Sequence, residues 1–289
     1  MVSKVRKAVF PVAGLGTRML PATKVLPKEM LPVVDKPIIQ YALEEAKAAG
    51  IEEFIFVTGR GKSMLEDHFD RAYELFDSLE AKGKTAALEE LASWLPEAGS
   101  VVYTRQQQPL GLGHAVWCAR HLVGDEPFAV GLVDDLILGD VPCFGELIEA
   151  HERTGGNVVA TMEVPHEHTS RYGILKAGKV DGRLIEADGM VEKPKPEAAP
   201  SRYAVIGRYV LLPEVFGHLE TLEKGAGGEI QLTDGMARML GRHPFHGYVF
   251  RGERHDCGDK LGYLEAIVAA ASRRADLQDD FGRMLRRYV

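Results

Sequence analysis

The chain has 289 residues, 45% of them hydrophobic, and a net charge of −7, which suits one large α/β domain and argues against a general nucleic-acid-binding protein. No apolar run approaches the roughly 18 residues of a transmembrane helix, and no cleavage pattern of a signal peptide follows the basic N-terminus, so we expect neither a membrane span nor a secretion signal. Three widely spaced cysteines, Cys118, Cys143 and Cys257, are typical of free thiols in a reducing cytoplasm rather than of a disulfide framework or a zinc site.

The first predicted strand, residues 8–13, runs into the turn Gly14-Leu15-Gly16-Thr17-Arg18. Two glycines after a strand let the backbone turn sharply and present N–H groups to a phosphate, and Arg18 adds a planar fork of donors. Lys28 follows in a loop stiffened by a proline on each side. Such a turn can also be only a tight corner, and Met19 replaces the third glycine of the dinucleotide fingerprint. The combination with Arg18 and Lys28 favours a phosphate site.

The next segments predict alternating helices and strands. A helix is expected over 37–50, a strand over 53–58, one or two amphipathic helices over 63–95 as a surface insertion, and a strand over 101–104. The run Gly61-Lys62-Ser63 is similar to the end of a P-loop, but Phe56 stands where that motif needs its first glycine. We therefore interpret Lys62 as the start of a helix.

A polar loop over 105–115 contains Gln106 and Gly111 and precedes a helix predicted at about 113–121. A glutamine side chain can both donate and accept hydrogen bonds, as reading a base edge requires. A solvated loop is the alternative. Because ligands collect outside the carboxyl ends of the strands in such sheets, the position of this loop favours binding.

A fourth strand, predicted over 128–133, runs into Asp134-Asp135. Two acids at the end of a buried strand are unfavourable unless a cation compensates them, and magnesium, held by a carboxylate and by phosphate oxygens, is the usual occupant. A helix N-cap or a turn would also use an aspartate here. Asp256, in the run His255-Asp256-Cys257-Gly258, is a second candidate carboxylate.

The second half of the chain is predicted to be β-rich. The expected elements are a helix over 142–154, strands over 158–164, 172–175, 182–186, 204–211 and 248–251, a helix capped by 227–234 and ending at 240, and amphipathic helices over the final thirty residues. Glu192 and Lys193 are adjacent, which offers a hydroxyl acceptor and a phosphate cation together, although such pairs usually belong to a solvated face. We find no internal repeat or free linker, so we expect one compact domain with two lobes over 1–289.

Seven short motifs follow one another along nearly the whole chain. They are Gly14-Leu15-Gly16-Thr17-Arg18, Pro27-Lys28-Glu29-Met30-Leu31-Pro32, Asp35-Lys36-Pro37, Gly111-Leu112-Gly113-His114-Ala115, Val191-Glu192-Lys193-Pro194, Glu229-Ile230-Gln231-Leu232-Thr233-Asp234 and His255-Asp256-Cys257-Gly258. Together these motifs resemble the sugar-1-phosphate nucleotidyltransferase family, and within it the bacterial UTP–glucose-1-phosphate uridylyltransferases. Lys28-Glu29-Met30-Leu31 stands where thymidylyl relatives typically carry Lys-Gln-Leu-Leu.

The resemblance implies a Rossmann-like, mixed β-sheet flanked by helices, of the glycosyltransferase-A-like type. It implies a nucleotide-binding lobe at about 1–135, which holds the helical insertion 63–95, a sugar-binding lobe at about 136–260 that faces the same cleft, and C-terminal helices at about 261–289. It implies UMP transfer from UTP to glucose 1-phosphate by Mg²⁺-assisted in-line attack of the sugar phosphate on the α-phosphorus, which gives UDP-glucose and pyrophosphate. It also implies a homodimer or homotetramer that binds neither nucleic acid nor membrane.

The resemblance further implies roles for individual residues. Arg18, Lys28 and Lys193 are the implied catalytic residues, and Asp134 and Asp256 the implied metal ligands. The implied nucleotide-binding residues are Ala13, Gly14, Gly16, Glu29, Gln106 and Gly111, and the implied sugar-binding residues are Gly173, Glu192, Lys193 and Val205.

Two positions depart from the family pattern. Val133 stands where proline or glycine is usual before the metal aspartate, and Asp259 stands where an uncharged residue is common. Two other classes of protein remain possible from the residues alone. A nicotinamide dehydrogenase is disfavoured by the missing third glycine, and a non-catalytic nucleotide sensor by the joint presence of Arg18, Lys28 and Lys193 with the aspartates.

Overall fold

A computed structural model describes residues 3–221, 225 and 228–288, and in this part of the chain nine strands form one mixed sheet. The strands are β1 (Lys7–Pro11), β2 (Pro32–Val33), β3 (Lys36–Pro37), β4 (Glu53–Thr58), β5 (Val101–Arg105), β6 (Phe128–Gly131), β7 (Asp135–Leu138), β8 (Asn157–Glu163), β9 (Gly173–Asp181), β10 (Leu184–Glu192), β11 (Tyr203–Leu211), β12 (Phe245–Val249) and β13 (Glu253–Asp256). The helices are α1 (Ile38–Ala48), α2 (Ser63–Phe69), α3 (Tyr73–Ala81), α4 (Thr85–Trp94), α5 (Leu112–Trp117), α6 (Arg120–Val123), α7 (Cys143–Thr154), α8 (Val215–Glu220), α9 (Leu232–Ala237), α10 (Lys260–Arg273) and α11 (Gln278–Leu285).

The strand order is β5-β4-β1-β6-β11-β8-β12-β10-β9. The first four strands are parallel, as expected for strands joined through helices, whereas β11 is antiparallel to β6 and β8. Strand β9 also pairs with β11, where Ala204 lies opposite Ile174, so the far end of the sheet curls back on itself. Strands β7 and β13 form a separate antiparallel pair.

Side chains alternate between the two faces of the sheet, and each face packs against helices. In β1, Ala8 and Phe10 belong to the core with α1 and α7, while Val9 belongs to the opposite core with α5, α8 and α9. A fully buried phenylalanine such as Phe10 contributes roughly 1.5–3 kcal/mol. The predicted mixed sheet flanked by helices is confirmed.

The parallel strands bring four loops to one edge of the sheet. Val12 N donates to Val57 O at 2.9 Å, and Gln106 N donates to Thr58 O at 2.9 Å. The loops that follow β1, β4, β5 and β6 therefore lie side by side at the carboxyl ends of the strands, where ligands bind in sheets of this kind.

Several predicted boundaries were wrong. The described segment 63–95 holds three helices rather than one or two, since Gly83, with φ of 63°, ends α3. The helix expected at 113–121 is divided into α5 and α6, and nothing in the local sequence explains the break. The strand expected over 128–133 ends at Gly131. A Cβ atom there would lie 2.8 Å from the Phe10 ring.

The C-terminal third also differs in detail from the prediction. The strand expected over 248–251 begins three residues earlier, at Phe245, and a further strand, β13, follows it. The helix expected to end at 240 ends at Ala237, and Gly227 of its predicted cap lies outside the described residues. None of the helices in the described ranges is long and apolar enough to cross a membrane.

Candidate active site

The glycine turn after β1 packs against the side chain of Lys28. Gly16 has φ of 67°, a conformation that glycine adopts without strain. A Cβ atom at Gly16 would lie 3.0 Å from Lys28 Cβ, and one at Gly14 would lie 3.7 Å from Lys28 Cε. Arg18, Lys28 and Asp134 line a cavity of about 170 Å³ beside this turn. The predicted phosphate-binding residues therefore lie together.

Lys28 and Asp134 form an ion pair in this cavity, with 2.5 Å between Nζ and Oδ2. Burial alone would raise the pKa of Asp134, but the Lys28 ammonium, with smaller contributions from a backbone hydrogen bond and Arg254, outweighs burial and holds that pKa below its usual value. Burial alone would lower the pKa of Lys28. The negative charge of Asp134, with a smaller contribution from Glu29, outweighs burial and raises the pKa of Lys28. Both groups are therefore charged near neutral pH.

Asp134 and Asp256 direct their carboxylates at one spot beside Gly258. A Cβ atom at Gly258 would lie 3.1 Å from Asp134 Oδ2, 3.1 Å from Asp256 Oδ1 and 3.8 Å from Arg18 Nη1. Among the described residues, no group of three or more acidic, histidine or cysteine side chains could hold a metal ion. Two carboxylates next to a phosphate cavity fit Mg²⁺, which keeps waters and takes its remaining ligands from substrate phosphates.

Asp135 faces away from this spot, as the alternation of neighbouring side chains predicts. Its Oδ2 accepts a hydrogen bond from Gly207 N on β11 at 2.7 Å, and its Oδ1 accepts one from Arg254 Nε on β13 at 2.8 Å. Asp135 opens β7 and lies opposite Asp256, so its carboxylate bonds to β11 and β13.

A second cavity, of about 650 Å³, adjoins the first and is lined by the predicted sugar-binding residues. Gly173 and Glu192 are paired across β9 and β10, and a Cβ atom at Gly173 would lie 3.2 Å from Glu192 Oε2 and 3.3 Å from Thr233 Oγ1. Lys193 Nζ lies 3.3 Å from Glu192 Oε1. Val205, on β11, also lines this cavity, so these residues share one cleft.

Lys193 has a strained backbone. Its φ of 44° is rare for a residue other than glycine, and its N–H donates to Tyr172 O at 3.0 Å. This bond fixes the point at which the chain leaves β10, so Lys193 is held at the rim of the cleft.

The predicted uridine-binding residues lie on neighbouring loops at the same edge of the sheet. Gln106 Nε2 donates to Gly111 O at 3.0 Å and lies 3.1 Å from His114 Nδ1. Gly111 has φ of 112°, and a Cβ atom there would lie 2.7 Å from Ile230 O, so only glycine fits. A Cβ atom at Gly59, which follows β4, would lie 3.1 Å from Ala13 O.

Glu29 is buried and forms an ion pair with Lys62, with 2.6 Å between Oε2 and Nζ. Burial raises the pKa of Glu29, and Lys62 opposes that shift. Lys62 precedes α2 as predicted, but the buried partner was not foreseen. The structure therefore pairs Glu29 with Lys62, while the neighbouring Lys28 lines the phosphate cavity.

Sequence reasoning gave no site role to several residues that line the cleft, among them Arg171, Tyr172, Thr233 and Arg254. Arg254 lies two positions before Asp256 on β13, and that spacing could have indicated a shared face.

The two residues that depart from the family pattern, Val133 and Asp259, have structural explanations. Val133 is buried in the core, and Asp259 caps α10, since its side chain accepts from Leu261 N at 2.9 Å.

Comparisons with known proteins agree with this geometry. A family model for nucleotidyl transferases matches residues 7–273. A UTP–glucose-1-phosphate uridylyltransferase of Komagataeibacter xylinus is 54% identical over 90% of this chain and 92% of its own. A solved UDP-glucose pyrophosphorylase complexed with UDP-glucose has a TM-score of 0.86 at 43% identity and covers 93% of this chain and 100% of its own. A UTP-bound UGPase from Acinetobacter baumannii has a TM-score of 0.90 at 40% identity and covers 97% of this chain and 98% of its own. The chain therefore belongs to the nucleotidyl transferase family and, within it, to the UTP–glucose-1-phosphate uridylyltransferases.

Proposed function

We propose that this protein transfers UMP from UTP to glucose 1-phosphate and forms UDP-glucose and pyrophosphate. The observation that carries the proposal is a continuous cleft with Glu192 and Lys193 at one end and Arg18, Lys28 and Asp134 at the other. This arrangement suits a sugar phosphate and a nucleoside triphosphate brought end to end. Similar chains bound to UTP and to UDP-glucose support the same pair of ligands.

The reaction needs no activated protein nucleophile. An oxygen of the glucose 1-phosphate forms a bond to the α-phosphorus of UTP while the bond from that phosphorus to the bridging oxygen of the β-phosphate breaks. Pyrophosphate leaves with the electron pair. The main obstacle is repulsion between two polyanions, so catalysis consists of alignment and charge neutralisation.

The cations of the cleft have separate tasks in this proposal. Arg18 and the N–H groups of the glycine turn hold the β- and γ-phosphates. Lys28 stabilises the charge on the α-phosphate as its bonding changes. Lys193 orients the attacking phosphate, and its fixed backbone limits where its ammonium can reach.

Asp134 and Asp256 would hold Mg²⁺, which supplies positive charge to the phosphate oxygens when bound. Asp134 Oδ2 also lies 2.5 Å from Lys28 Nζ, so the carboxylate that would hold the ion sets the position of the Lys28 ammonium beside the phosphate cavity. Asp135 holds Arg254 and β11 in place and is not part of the metal site.

On the sugar side, Glu192 accepts hydrogen bonds from glucose hydroxyls, and the bare Gly173 backbone leaves room for the ring. On the nucleotide side, Gln106 and the backbone of Ala13, Gly14 and Gly111 contact uridine. Glu29, which pairs with Lys62, belongs to the same nucleotide-binding set. The homodimer or homotetramer and the cytoplasmic location stay predictions.

Pyrophosphate release from a panel of nucleoside triphosphates and sugar 1-phosphates tests this function. We expect turnover with UTP and glucose 1-phosphate in Mg²⁺ and its loss in excess EDTA. Turnover that prefers another nucleotide or another sugar phosphate would overturn the substrate assignment. Tight binding of UTP with no pyrophosphate release would favour a nucleotide sensor.

A further inference from the structure

Arg254 joins the two ends of the cleft, although no role described so far depends on it. It lies on β13, and its side chain is 10% exposed. The guanidinium lies between the metal-side carboxylates and the sugar-side loop before β9, so its neighbours come from three separate segments of the chain.

On the metal side, Arg254 contacts both carboxylates of the β7–β13 pair. Its Nε donates to Asp135 Oδ1 at 2.8 Å, and its Nη2 also contacts Asp135. The same Nη2 lies 3.4 Å from Asp256 Oδ2, while Asp256 Oδ1 accepts a hydrogen bond from Gly258 N at 3.0 Å and lies beside the spot shared with Asp134. Because Asp135 is itself fixed by Gly207 N at 2.7 Å, the guanidinium is anchored to the sheet.

On the sugar side, Arg254 contacts the residue that holds Lys193. Its Nη1 donates to the Tyr172 hydroxyl at 3.1 Å, and its guanidinium carbon lies 5.4 Å from the centre of that ring. Tyr172 O accepts the N–H of the strained Lys193 at 3.0 Å. A shift of Tyr172 would therefore move the lysine that faces the sugar phosphate.

We propose that Arg254 is a positioning residue that fixes Asp256 and Lys193 relative to each other, and so sets the distance between the metal carboxylate and the cation for the sugar phosphate. The inference rests on the proposed function for the identity of the sugar phosphate. A planar fork with five N–H donors serves acceptors in three directions at once, which the single ammonium of a lysine does not.

The test compares Arg254→Lys, which keeps the charge and loses the fork, with the wild-type chain. Loss of an outer contact to a metal ligand weakens metal binding by about 10–100-fold. We expect Arg254→Lys to raise the Kd for Mn²⁺, measured by electron paramagnetic resonance without substrate, by about tenfold. The KM for glucose 1-phosphate should rise by a similar factor, while the KM for UTP should stay within about twofold.

Tyr172→Phe separates the sugar-side contact of Arg254 from its metal-side contacts. It removes the hydroxyl that accepts from Arg254 and does not change the contact between Arg254 and Asp256. It should raise the KM for glucose 1-phosphate and leave the Mn²⁺ affinity unchanged. Arg251→Met is the matched control, since Arg251 is exposed and pairs with Glu146 outside the cleft; it should change neither quantity.

A wild-type value for either the Mn²⁺ affinity or the KM for glucose 1-phosphate in Arg254→Lys would overturn the proposal. A lower melting temperature alone would leave Arg254 with a purely structural role and would also overturn it. Failure of the proposed function would appear separately, as a wild-type protein that makes no UDP-glucose.

Discussion

Lys28 Nζ lies 2.5 Å from Asp134 Oδ2, so the cation assigned to the α-phosphate is bonded to the carboxylate assigned to the metal. An ion pair at this distance neutralises a carboxylate that would otherwise be unfavourable in a half-buried site. A metal ion on Asp134 must compete with Lys28, and a phosphate near Lys28 must compete with Asp134. Binding of metal and nucleotide is therefore expected to be mutually supportive.

The first prediction concerns Lys28→Met. Loss of one preorganised cation should lower kcat by about 10²–10³, with a smaller loss of UTP affinity. Because the competing ammonium is gone, Mn²⁺ should bind Asp134 more tightly than in the wild type. Steady-state kinetics and a Mn²⁺ titration measure both effects, with the exposed Lys24→Met as control. A variant with near-normal kcat and poor UTP binding would remove Lys28 from the chemical step.

The second prediction compares the neighbouring aspartates. Asp134→Asn keeps the side-chain shape but removes the charge at the spot shared with Asp256, so Mn²⁺ affinity and turnover should fall together, and excess Mg²⁺ should restore part of the turnover. Asp135→Asn weakens its contacts to Gly207 and Arg254, so it should lower the melting temperature and reduce Mn²⁺ affinity and turnover much less than Asp134→Asn does. If Asp135→Asn is the variant that loses the metal, the assignment of the two residues is reversed.

The local pattern of the sequence was enough for the elements nearest the phosphate site. The apolar run after residue 7, the two glycines and the proline-flanked Lys28 predicted a strand, a turn and a cation, and Lys28 does lie against Gly14 and Gly16. The family and the mixed sheet with flanking helices were also predicted correctly. Each of these predictions depends on contacts between residues that are close in the sequence, or on motifs specific enough to identify the family.

Contacts between distant segments could not be predicted in this way. Arg254 contacts Asp135, which lies 119 residues earlier in the chain. This contact depends on the pairing of β7 and β13, two four-residue strands that no hydrophobic periodicity predicts. Lys62 reaches Glu29 across 33 residues, and a buried lysine contradicts the usual exposure of that residue type. Such partners follow from the arrangement of the strands in space rather than from local preference.

The third prediction concerns the sugar end of the cleft. Glu192→Ala removes a carboxylate whose Oε2 lies beside Gly173, so the KM for glucose 1-phosphate should rise by about tenfold or more, the scale of a hydrogen bond to a charged group. The KM for UTP should change little. Glu186→Ala is the control, because Glu186 is exposed on the same strand and lines no part of this cleft. Equal damage to both KM values would count against the assignment of Glu192.

The last prediction concerns the Lys62–Glu29 pair, in which the two side chains are only 7% and 1% exposed. Lys62→Met should destabilise the fold by about 3–5 kcal/mol, because it leaves a buried carboxylate without its cation. The double variant Glu29→Gln with Lys62→Met has no unpaired charge and should recover most of that loss in urea unfolding.

The loss of unfolding free energy in Lys62→Met should also depend on pH, and the pKa of Glu29 determines whether it grows or shrinks as the pH rises. Burial already raises the pKa of Glu29 above 4.5, and loss of Lys62, which opposes that shift, raises it further. A carboxyl with a raised pKa in the folded state stabilises the fold at low pH, and this contribution disappears as the pH rises through that pKa. The unfolding free energy of Lys62→Met should therefore fall further below that of the wild type as the pH rises from 4.5. The double variant, which lacks the carboxyl, should show no such trend. A pH-independent loss in Lys62→Met would mean that Glu29 finds another partner when Lys62 is absent.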